Sequence, residues 1–98
     1  MPTYDRTARF RRDWKRLSEA QREQFRSAVR LFVECLRTGG PLHPSLRVKR
    51  VQGARPGVRE LTWAPDGRAT FEYGPEMTAG EPHVIWRRIG DHSILDQP

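Results

Sequence analysis

The sequence predicts an α+β fold in which two N-terminal helices pack on one face of a small, mainly antiparallel sheet of three to four strands. Three observations predict it. Apolar residues recur at helical spacing before residue 38, they alternate with polar ones after residue 46, and a Pro-Asp-Gly turn separates two apolar runs. With 98 residues, the chain has room for one domain, spanning 1–98.

The N-terminal segment predicts a short strand followed by a helix. Residues 4–7 are expected to form a short edge strand. Phe10, Trp14 and Leu17 then fall at positions i, i+4 and i+7, the apolar stripe of an amphipathic helix. The positions between them are mostly charged, so this helix is expected to bury one face only.

A second helix is predicted from residue 18. Ser18 and Gln21 have the spacing of a capping box, in which each side chain bonds the backbone N–H of the other residue. Gly39-Gly40-Pro41 is expected to end the helix, since glycine favours a left-handed cap and proline cannot continue a helix. Its apolar face is expected to be buried: Phe25, Ala28, Val29, Phe32, Cys35 and Leu36.

The remainder of the chain predicts the sheet. Alternation begins at Leu46, and residues 58–63 and 69–73 are expected to be strands joined by a tight hairpin. Within that hairpin, Pro65-Asp66-Gly67 suits a type I turn followed by a left-handed glycine. After a loop over 74–82, residues 83–89 are apolar enough to form a central strand.

Strand alternation also predicts which side chains share a face. Ala69, Phe71 and Tyr73 are expected to face the helices, which leaves Arg68, Thr70 and Glu72 on the open face. In the partner strand, Glu60 is expected to share that exposed face with Arg68. The two form either an ordinary cross-strand ion pair or a general base beside a phosphate clamp.

Composition excludes several classes of protein. Cys35 is the single cysteine, so no internal disulfide is possible, and no histidine or carboxylate spacing typical of a metal site is present. We therefore expect no metal and no cofactor. No apolar run is long enough to span a bilayer, and the N-terminus lacks the apolar core of a signal peptide. A cytoplasmic protein without a membrane partner is expected.

Charge is high and unevenly distributed. Eighteen Lys and Arg against twelve Asp and Glu give a net charge of +6. Residues 41–59 contain no acidic group, whereas residues 60–98 carry more acidic than basic groups. This uneven positive charge favours a polyanionic partner such as RNA. The alternative is that the basic residues only keep the protein soluble. The basic residues of the middle segment are Arg47, Lys49, Arg50, Arg55 and Arg59.

The end of the chain combines residue types suited to phosphate chemistry. His92 follows Arg87 and Arg88, so a group that titrates near neutral pH lies close in sequence to two guanidinium groups. The alternative is a histidine that only bonds a turn carbonyl. Tyr73 is a candidate for stacking on a base, whereas Trp63 and Trp86 are expected in the core.

The order of these motifs resembles the RelE/ParE toxin superfamily over nearly the whole chain. The resemblance rests on Gly57-Val58-Arg59-Glu60-Leu61, on the Pro65-Asp66-Gly67-Arg68 hairpin, and above all on the closing Arg88-Ile89-Gly90-Asp91-His92. This ending is similar to the Arg-x-Gly-x-His ending of the RNA-cleaving members, especially the YafQ- and HigB-like branches.

The resemblance implies a RelE-like microbial RNase fold and the activity of an mRNA interferase, the toxin of a type II toxin-antitoxin system. Such a toxin cleaves mRNA, usually on the ribosome, without a metal. The 2′-hydroxyl attacks the adjacent phosphorus, which yields a 2′,3′-cyclic phosphate and a 5′-hydroxyl. A small antitoxin protein is the implied partner.

The resemblance also implies roles for particular residues. Arg88 and His92 match the family's arginine and histidine, and Asp66 matches a hairpin aspartate of YafQ-like toxins. Arg68, Lys49 and Glu60 are carried over as phosphate clamp, phosphate or ribosomal RNA contact, and base.

Two positions depart from the YafQ-like pattern. Thr62 stands where these toxins have another histidine, and Asp96 stands where they end in an aromatic residue. Because a threonine hydroxyl is a poor base, the sequence leaves Glu60, Asp66 or Lys49 to take that role.

Two other functions are compatible with the sequence. One is a non-catalytic, ParE-like inhibitor of DNA gyrase, against which the Arg88 and His92 ending argues. The other is a basic RNA- or ribosome-binding module that relies on cations of the middle segment and does not need His92.

Overall fold

The computed structural model describes all residues, 1–98, and contains two helices and five strands. They follow the order β1 (Thr3–Arg6), α1 (Ala8–Lys15), α2 (Glu19–Thr38), β2 (Lys49–Arg50), β3 (Arg59–Thr62), β4 (Gly67–Gly74) and β5 (His83–Asp91). Short 3₁₀ turns cover Pro44–Leu46 and His92–Asp96. The second is called the C-terminal turn below.

The strands form one sheet in the order β1-β5-β4-β3-β2. The pairing of β1 with β5 is parallel, and every other pairing is antiparallel. The predicted α+β class is therefore confirmed. The sheet has five strands instead of three or four, because both β1 and the two-residue β2 join its edges.

Local sequence explains where the helices begin and end. The Thr7 side chain accepts a hydrogen bond from the Phe10 N–H at the start of α1. Ser18 and Gln21 form the predicted capping box of α2, and Gly39 ends that helix with φ 72°. The predicted second helix is thus confirmed at both ends.

An aromatic cluster joins the helices to the sheet. The Phe25 and Trp86 ring centroids lie 5.2 Å apart, and those of Phe32 and Phe71 lie 5.1 Å apart. Trp63 and Trp86 are buried, as predicted. Phe10 of α1 also packs against Trp86, at 6.2 Å, so both helices are held on one face of the sheet through apolar burial.

One predicted strand start is wrong, and one predicted core residue is only partly covered. Leu46 does not begin a strand: it is buried in a 3₁₀ turn that starts at Pro44. Tyr73 lies on the helix-facing side of the sheet, as predicted, but is 40% exposed. It lies at the edge of the core, where its ring meets Phe71 on one side and the Arg59 guanidinium at 5.4 Å on the other.

The predicted left-handed glycine of the hairpin is also wrong, and the reason is steric. Gly67 is not among the glycines with positive φ. A Cβ atom at Gly67 would instead lie 2.6 Å from the indole ring of Trp63. Glycine is therefore required here by close approach to a buried ring, not by backbone conformation.

The face opposite the helices is less open than the alternation predicts. Glu60 and Thr70 are buried, not exposed. The C-terminal turn folds back against β4 and β5, and its Ile94 is buried close to Gly90. Part of the second sheet face is thus covered by the chain's own end.

Neither helix is long and apolar enough to cross a membrane. α2 is the longer of the two, and it alternates charged and apolar residues along its length.

Gly67→Ala should destabilise the fold by about 1–3 kcal/mol, because the added methyl group overpacks against the Trp63 ring. Urea unfolding followed by tryptophan fluorescence measures this. Gly40→Ala is the control, since a Cβ there meets only the Thr38 hydroxyl at 3.8 Å. Equal stability of the two variants would contradict the close-approach explanation.

Candidate active site

Strand register brings together two residues that are distant in sequence. Gly67 at the start of β4 is paired with Asp91 at the end of β5. Asp66 immediately precedes the one, and His92 immediately follows the other. Their side chains consequently meet at the tip of the β3–β4 hairpin.

Asp66 and His92 form a hydrogen-bonded pair. The Nδ1 of His92 lies 2.5 Å from Oδ1 of Asp66, and both side chains are exposed. The hydrogen bond to Asp66, followed by its charge, raises the pKa of His92 above the ordinary value. With Nδ1 engaged, Nε2 is the nitrogen available to a substrate.

The start of the C-terminal turn is held in place by Asp91. Its carboxylate accepts hydrogen bonds from the Ser93 N–H, at 2.9 Å, and from the Ser93 hydroxyl. These bonds lower the pKa of Asp91. The backbone on both sides of His92 is thereby fixed.

His92 borders a cleft on the sheet face opposite the helices. The cleft has a volume of about 440 Å³. Glu60 forms part of its wall and is almost completely buried, with Lys49 opposite it in the strand register and their charged groups 4.0 Å apart. The cleft is lined by Lys49, Arg50, Val51, Gln52, Glu60, Arg68, His92 and Leu95.

Arg68 has one end of its guanidinium committed to the hairpin. Its Nη1 donates to the carbonyl oxygens of Ala64, Pro65 and Gly67 at 3.0–3.4 Å. Nε and Nη2 make no hydrogen bond. Arg68 is therefore held rigidly at the cleft with donors left over for an anion.

Arg88 does not line this cleft, contrary to its expected proximity to His92. Its Nε donates to Asp13 of α1 at 2.7 Å and its Nη2 donates to the second carboxylate oxygen at 3.1 Å. This bidentate pair raises the pKa of Arg88. Both side chains are largely buried, and Nη1 donates to the Gln97 carbonyl oxygen at 3.2 Å, so the guanidinium is engaged in structural contacts.

The difference has a local cause. A register shift in the β4–β5 ladder lies between Thr70 and Phe71, and the ladder passes from Arg88 directly to Trp86. Arg87 is the extra residue of this bulge. A bulge rotates the neighbouring side chains, and here it directs Arg88 to α1.

The other predicted RNA-binding residues divide into two groups. Lys49 and Arg50 line the cleft, and Arg47 lines an adjoining cavity together with Arg68. Arg55 and Arg87 are instead engaged with Glu72, at 2.8 and 3.8 Å.

Arg59 and Tyr73 contact each other away from the cleft. Because Arg59 lies opposite Phe71 in the register, this pair belongs to the helix side of the sheet. The structure thus separates Tyr73 from His92.

Asp13 is the functional neighbour that sequence reasoning missed. It also accepts a hydrogen bond from the Ile89 N–H at 3.2 Å. A signal was available: Asp13 stands three residues after Phe10, on the apolar stripe of α1, where a carboxylate has no reason to be buried without a partner.

The arrangement provides the groups that a phosphodiester transfer needs. A buried carboxylate, a histidine with a raised pKa and three cations border one cleft. A base, an acid and charge stabilisation are thus available together. No group of three or more His, Cys, Asp or Glu side chains lies close enough to hold a metal ion.

Asp66→Asn should lower the pKa of His92 toward the ordinary value of about 6.5, because the raising hydrogen bond and charge are both lost. NMR titration of the imidazole measures this. An unchanged His92 titration would show that the pair does not persist in solution.

Asp13→Ala should destabilise the protein by about 3 kcal/mol, because it leaves the guanidinium of Arg88 buried without a partner. Glu23→Ala is the control, since it removes only exposed ion pairs with Arg26 and Arg30 and should cost less than about 1 kcal/mol. Chemical denaturation compares the two. Equal losses would contradict the role assigned to Asp13.

Comparison with known proteins identifies solved structures that share this fold. No protein-family model matches the chain, and no curated protein is similar enough in sequence to count as a match. Solved structures do match over nearly the full length. A histidine-to-glutamine variant of YafQ from E. coli has a TM-score of 0.66 at 15% identity and covers 97% of this chain and 98% of its own.

Two further matches contain an antitoxin. The E. coli DinJ–YafQ complex gives a TM-score of 0.66 at 16% identity, covering 97% of this chain and 98% of that chain. The RelB–RelE antitoxin–toxin complex of Methanococcus jannaschii gives a TM-score of 0.62 at 20% identity, and the match covers 96% of this chain and 99% of that chain. These matches cover nearly the whole chain, which has the fold of the RelE/YafQ-like toxins.

Proposed function

We propose that this protein is the toxin of a type II toxin-antitoxin system and an endoribonuclease that cleaves mRNA. One observation carries the proposal: the Asp66–His92 pair borders a cleft that also contains a buried carboxylate and three cations. A protein that only binds RNA has no need of a histidine with a raised pKa in a cleft that also contains a buried glutamate.

In the proposed reaction, Glu60 removes the proton from a 2′-hydroxyl of the RNA. The 2′-oxygen attacks the adjacent phosphorus, and the bond from phosphorus to the 5′-oxygen breaks. His92 gives its Nε2 proton to the leaving oxygen, which produces a 2′,3′-cyclic phosphate and a 5′-hydroxyl. At the end of the step Glu60 carries the proton of the 2′-hydroxyl, and His92 has given up its own. The proton balance therefore closes without a metal.

Cations of the cleft stabilise the charge that develops on the phosphoryl oxygens. Lys49 stands beside Glu60, and Arg68 presents its free donors from the hairpin. Fixed donors aimed at developing charge are among the largest contributions to catalysis. Arg88 acts as a positioning residue in this proposal, since it secures α1 to the strand that immediately precedes His92.

The proposed partners follow from the fold. The neighbouring structures include complexes of YafQ with DinJ and of RelE with RelB. We propose a small antitoxin as the protein partner of this chain, mRNA on the ribosome as its substrate and the cytoplasm as its compartment. Residues 1–98 act as one toxin domain.

The test is induced expression in bacteria with mapping of 5′ ends on a reporter mRNA by primer extension. Growth arrest with new 5′ ends that vanish in His92→Ala supports the proposal. Arrest without cleavage indicates another target, such as DNA gyrase. Absence of arrest, together with RNA binding that survives His92→Ala, indicates a binding module.

His92→Ala should reduce cleavage of a purified RNA by about 10²–10⁴-fold, the usual contribution of one acid-base group. Glu60→Gln should have a similar effect, because an amide cannot accept the proton. His43→Ala is the matched control and should cleave at the wild-type rate. An unchanged rate in His92→Ala would refute its assignment as the acid.

The pH dependence gives an independent check. Cleavage should decline at high pH as His92 loses its proton, and the raised pKa keeps it protonated to a higher pH than an isolated histidine. Asp66→Asn should therefore move the alkaline limb of the rate profile to lower pH, with the acid limb unchanged. A shift in the opposite direction would contradict the proposed acid.

A further inference from the structure

A second groove lies beside the catalytic cleft, where the sheet is left incomplete by the short β2. That strand pairs only with Arg59 and Glu60, so Thr62 at the end of β3 has no partner strand on the same edge. Between this edge, the Pro44–Leu46 turn and α2 lies a groove with a volume of about 680 Å³. It is called the hairpin groove below.

Arg68 connects the hairpin groove to the cleft. Its side chain lines both spaces. Nη1 is bonded to the turn, whereas Nε and Nη2 are free to bind an anion. A phosphate held by these donors lies at the boundary of the two spaces. An RNA strand whose cleaved bond faces His92 can therefore continue into the hairpin groove.

Arg47 provides the second cation of the hairpin groove, and its backbone conformation is unusual. With φ 47° and ψ 43°, it is the only residue other than glycine with a positive φ. This region disfavours any residue with a Cβ atom, whereas glycine adopts it freely. An arginine here places backbone strain beside the groove, as is common at binding sites.

The charge of Arg47 is not neutralised within the protein, because it takes part in no ion pair. The arginines of α2 pair with glutamates of the same helix, whereas the cations at α1 are unpaired like Arg47: Arg11, Arg12, Lys15 and Arg16. Arg47 differs from those four in bordering a groove, and no acidic residue lines that groove. The hairpin groove is therefore suited to an anion.

The walls of the hairpin groove suit a flat ring with polar edges. Ala28 and Leu31 line it from α2, and Ala64 and Pro65 line it from the hairpin. Gln24 adds an exposed amide, which can donate and accept hydrogen bonds. Apolar walls with a few polar groups are typical of sites for small heterocyclic ligands.

Trp63 adds a donor without a partner. Its ring lines the hairpin groove, and its Nε1 is buried and makes no hydrogen bond. Unpaired buried donors are rare in native proteins, and each requires an explanation. A ligand with an acceptor at the edge of its ring provides one here.

We propose that the hairpin groove binds one nucleotide of the substrate RNA, next to the two nucleotides whose bond is cleaved. Its phosphate contacts Arg47 and Arg68, and its base lies between α2 and the hairpin. A nucleotide combines the anion that the arginines favour with the flat, polar-edged ring that the walls favour. The proposal rests on the proposed function and makes single-stranded RNA longer than a dinucleotide the substrate, because a base must leave its stack to enter a groove.

The first test compares cleavage of RNA oligonucleotides that differ by one nucleotide. A dinucleotide and the two trinucleotides that extend it at the 5′ or the 3′ end are used, each with a single 2′-hydroxyl so that one bond can be cleaved. Wild type is compared with Arg47→Gly. Arg37→Ala is the matched control, because it removes one exposed arginine outside the groove.

We expect one of the two extensions to raise kcat/KM of the wild type about tenfold or more, the value of one hydrogen bond to a charged group. Arg47→Gly should lose most of this gain and still cleave the dinucleotide at the wild-type rate. Arg37→Ala should keep the gain. No gain in the wild type, or an equal loss by Arg47→Gly on all three substrates, would overturn the proposal.

The stability of Arg47→Gly separates binding from structure. Because glycine adopts the left-handed region without strain, this variant should unfold at the same urea concentration as the wild type or at a higher one. A lower unfolding midpoint, together with losses on every substrate, would assign Arg47 a structural role and overturn the proposal.

A binding measurement tests the groove independently of the nuclease. A trinucleotide made of 2′-deoxynucleotides cannot be cleaved, and its binding is followed by NMR through the indole N–H signals of the three tryptophans. Trp63→Phe identifies the signal of Trp63. We expect this signal to shift in the wild type, and we expect Arg47→Gly to bind the trinucleotide about tenfold more weakly.

The outcomes distinguish this proposal from the proposed function. If the wild type cleaves no RNA, the nuclease is refuted and the Trp63 shift alone decides whether the groove binds a nucleotide. Absence of a shift would overturn the proposal. A mononucleotide that shifts the Trp63 signal with the affinity of the trinucleotide would assign the groove to free nucleotides and overturn its place on the substrate strand.

Discussion

The buried carboxylate of Asp13 is the contact on which the arrangement of this molecule depends. It accepts two hydrogen bonds from the Arg88 guanidinium and one from the Ile89 N–H. A carboxylate removed from water must be satisfied in this way. The result is that α1 and β5, far apart in sequence, are joined beside the end of the strand that carries His92. Arg88 is thereby more important for architecture than for contact with substrate.

The hairpin between β3 and β4 is the second determinant of the site. Trp63 and Gly67 pack too closely for any side chain at Gly67, and Arg68 bonds three carbonyl oxygens of the turn. These contacts make the turn rigid, and Asp66 at its tip is held where His92 arrives from β5. The exposed Asp66–His92 pair is thus supported by buried packing beneath it.

Local signals predicted the parts of the fold that local physics determines. The capping box, the Gly39 cap and the hairpin position follow from neighbouring residues, and the sequence identified each. The exposure of each sheet face and the identity of the edge strands were predicted less well. The bulge at Arg87, the return of the C-terminal turn over the sheet and the two-residue β2 depend on contacts between distant segments, which periodicity does not report.

The site was predicted in the same uneven way. Glu60, Arg68 and Lys49 do line one cleft with His92, since strand alternation and register place them there. Arg88 and Tyr73 do not, because a bulge redirects the first and the second lies on the helix side. Asp66 was found only through family resemblance, since contact between a turn residue and a strand end requires the register of the sheet.

The contrast between paired arginines on α2 and unpaired cations on α1 gives the molecule an asymmetric electric field. The fields of paired opposite charges largely cancel outside the molecule, whereas the fields of clustered unpaired charges add up over about a Debye length, about 8 Å at physiological salt. A polyanion that diffuses toward this protein is therefore turned toward α1 before any contact forms. Such orientation raises the fraction of productive encounters, and it makes the association rate, more than the dissociation rate, sensitive to ionic strength.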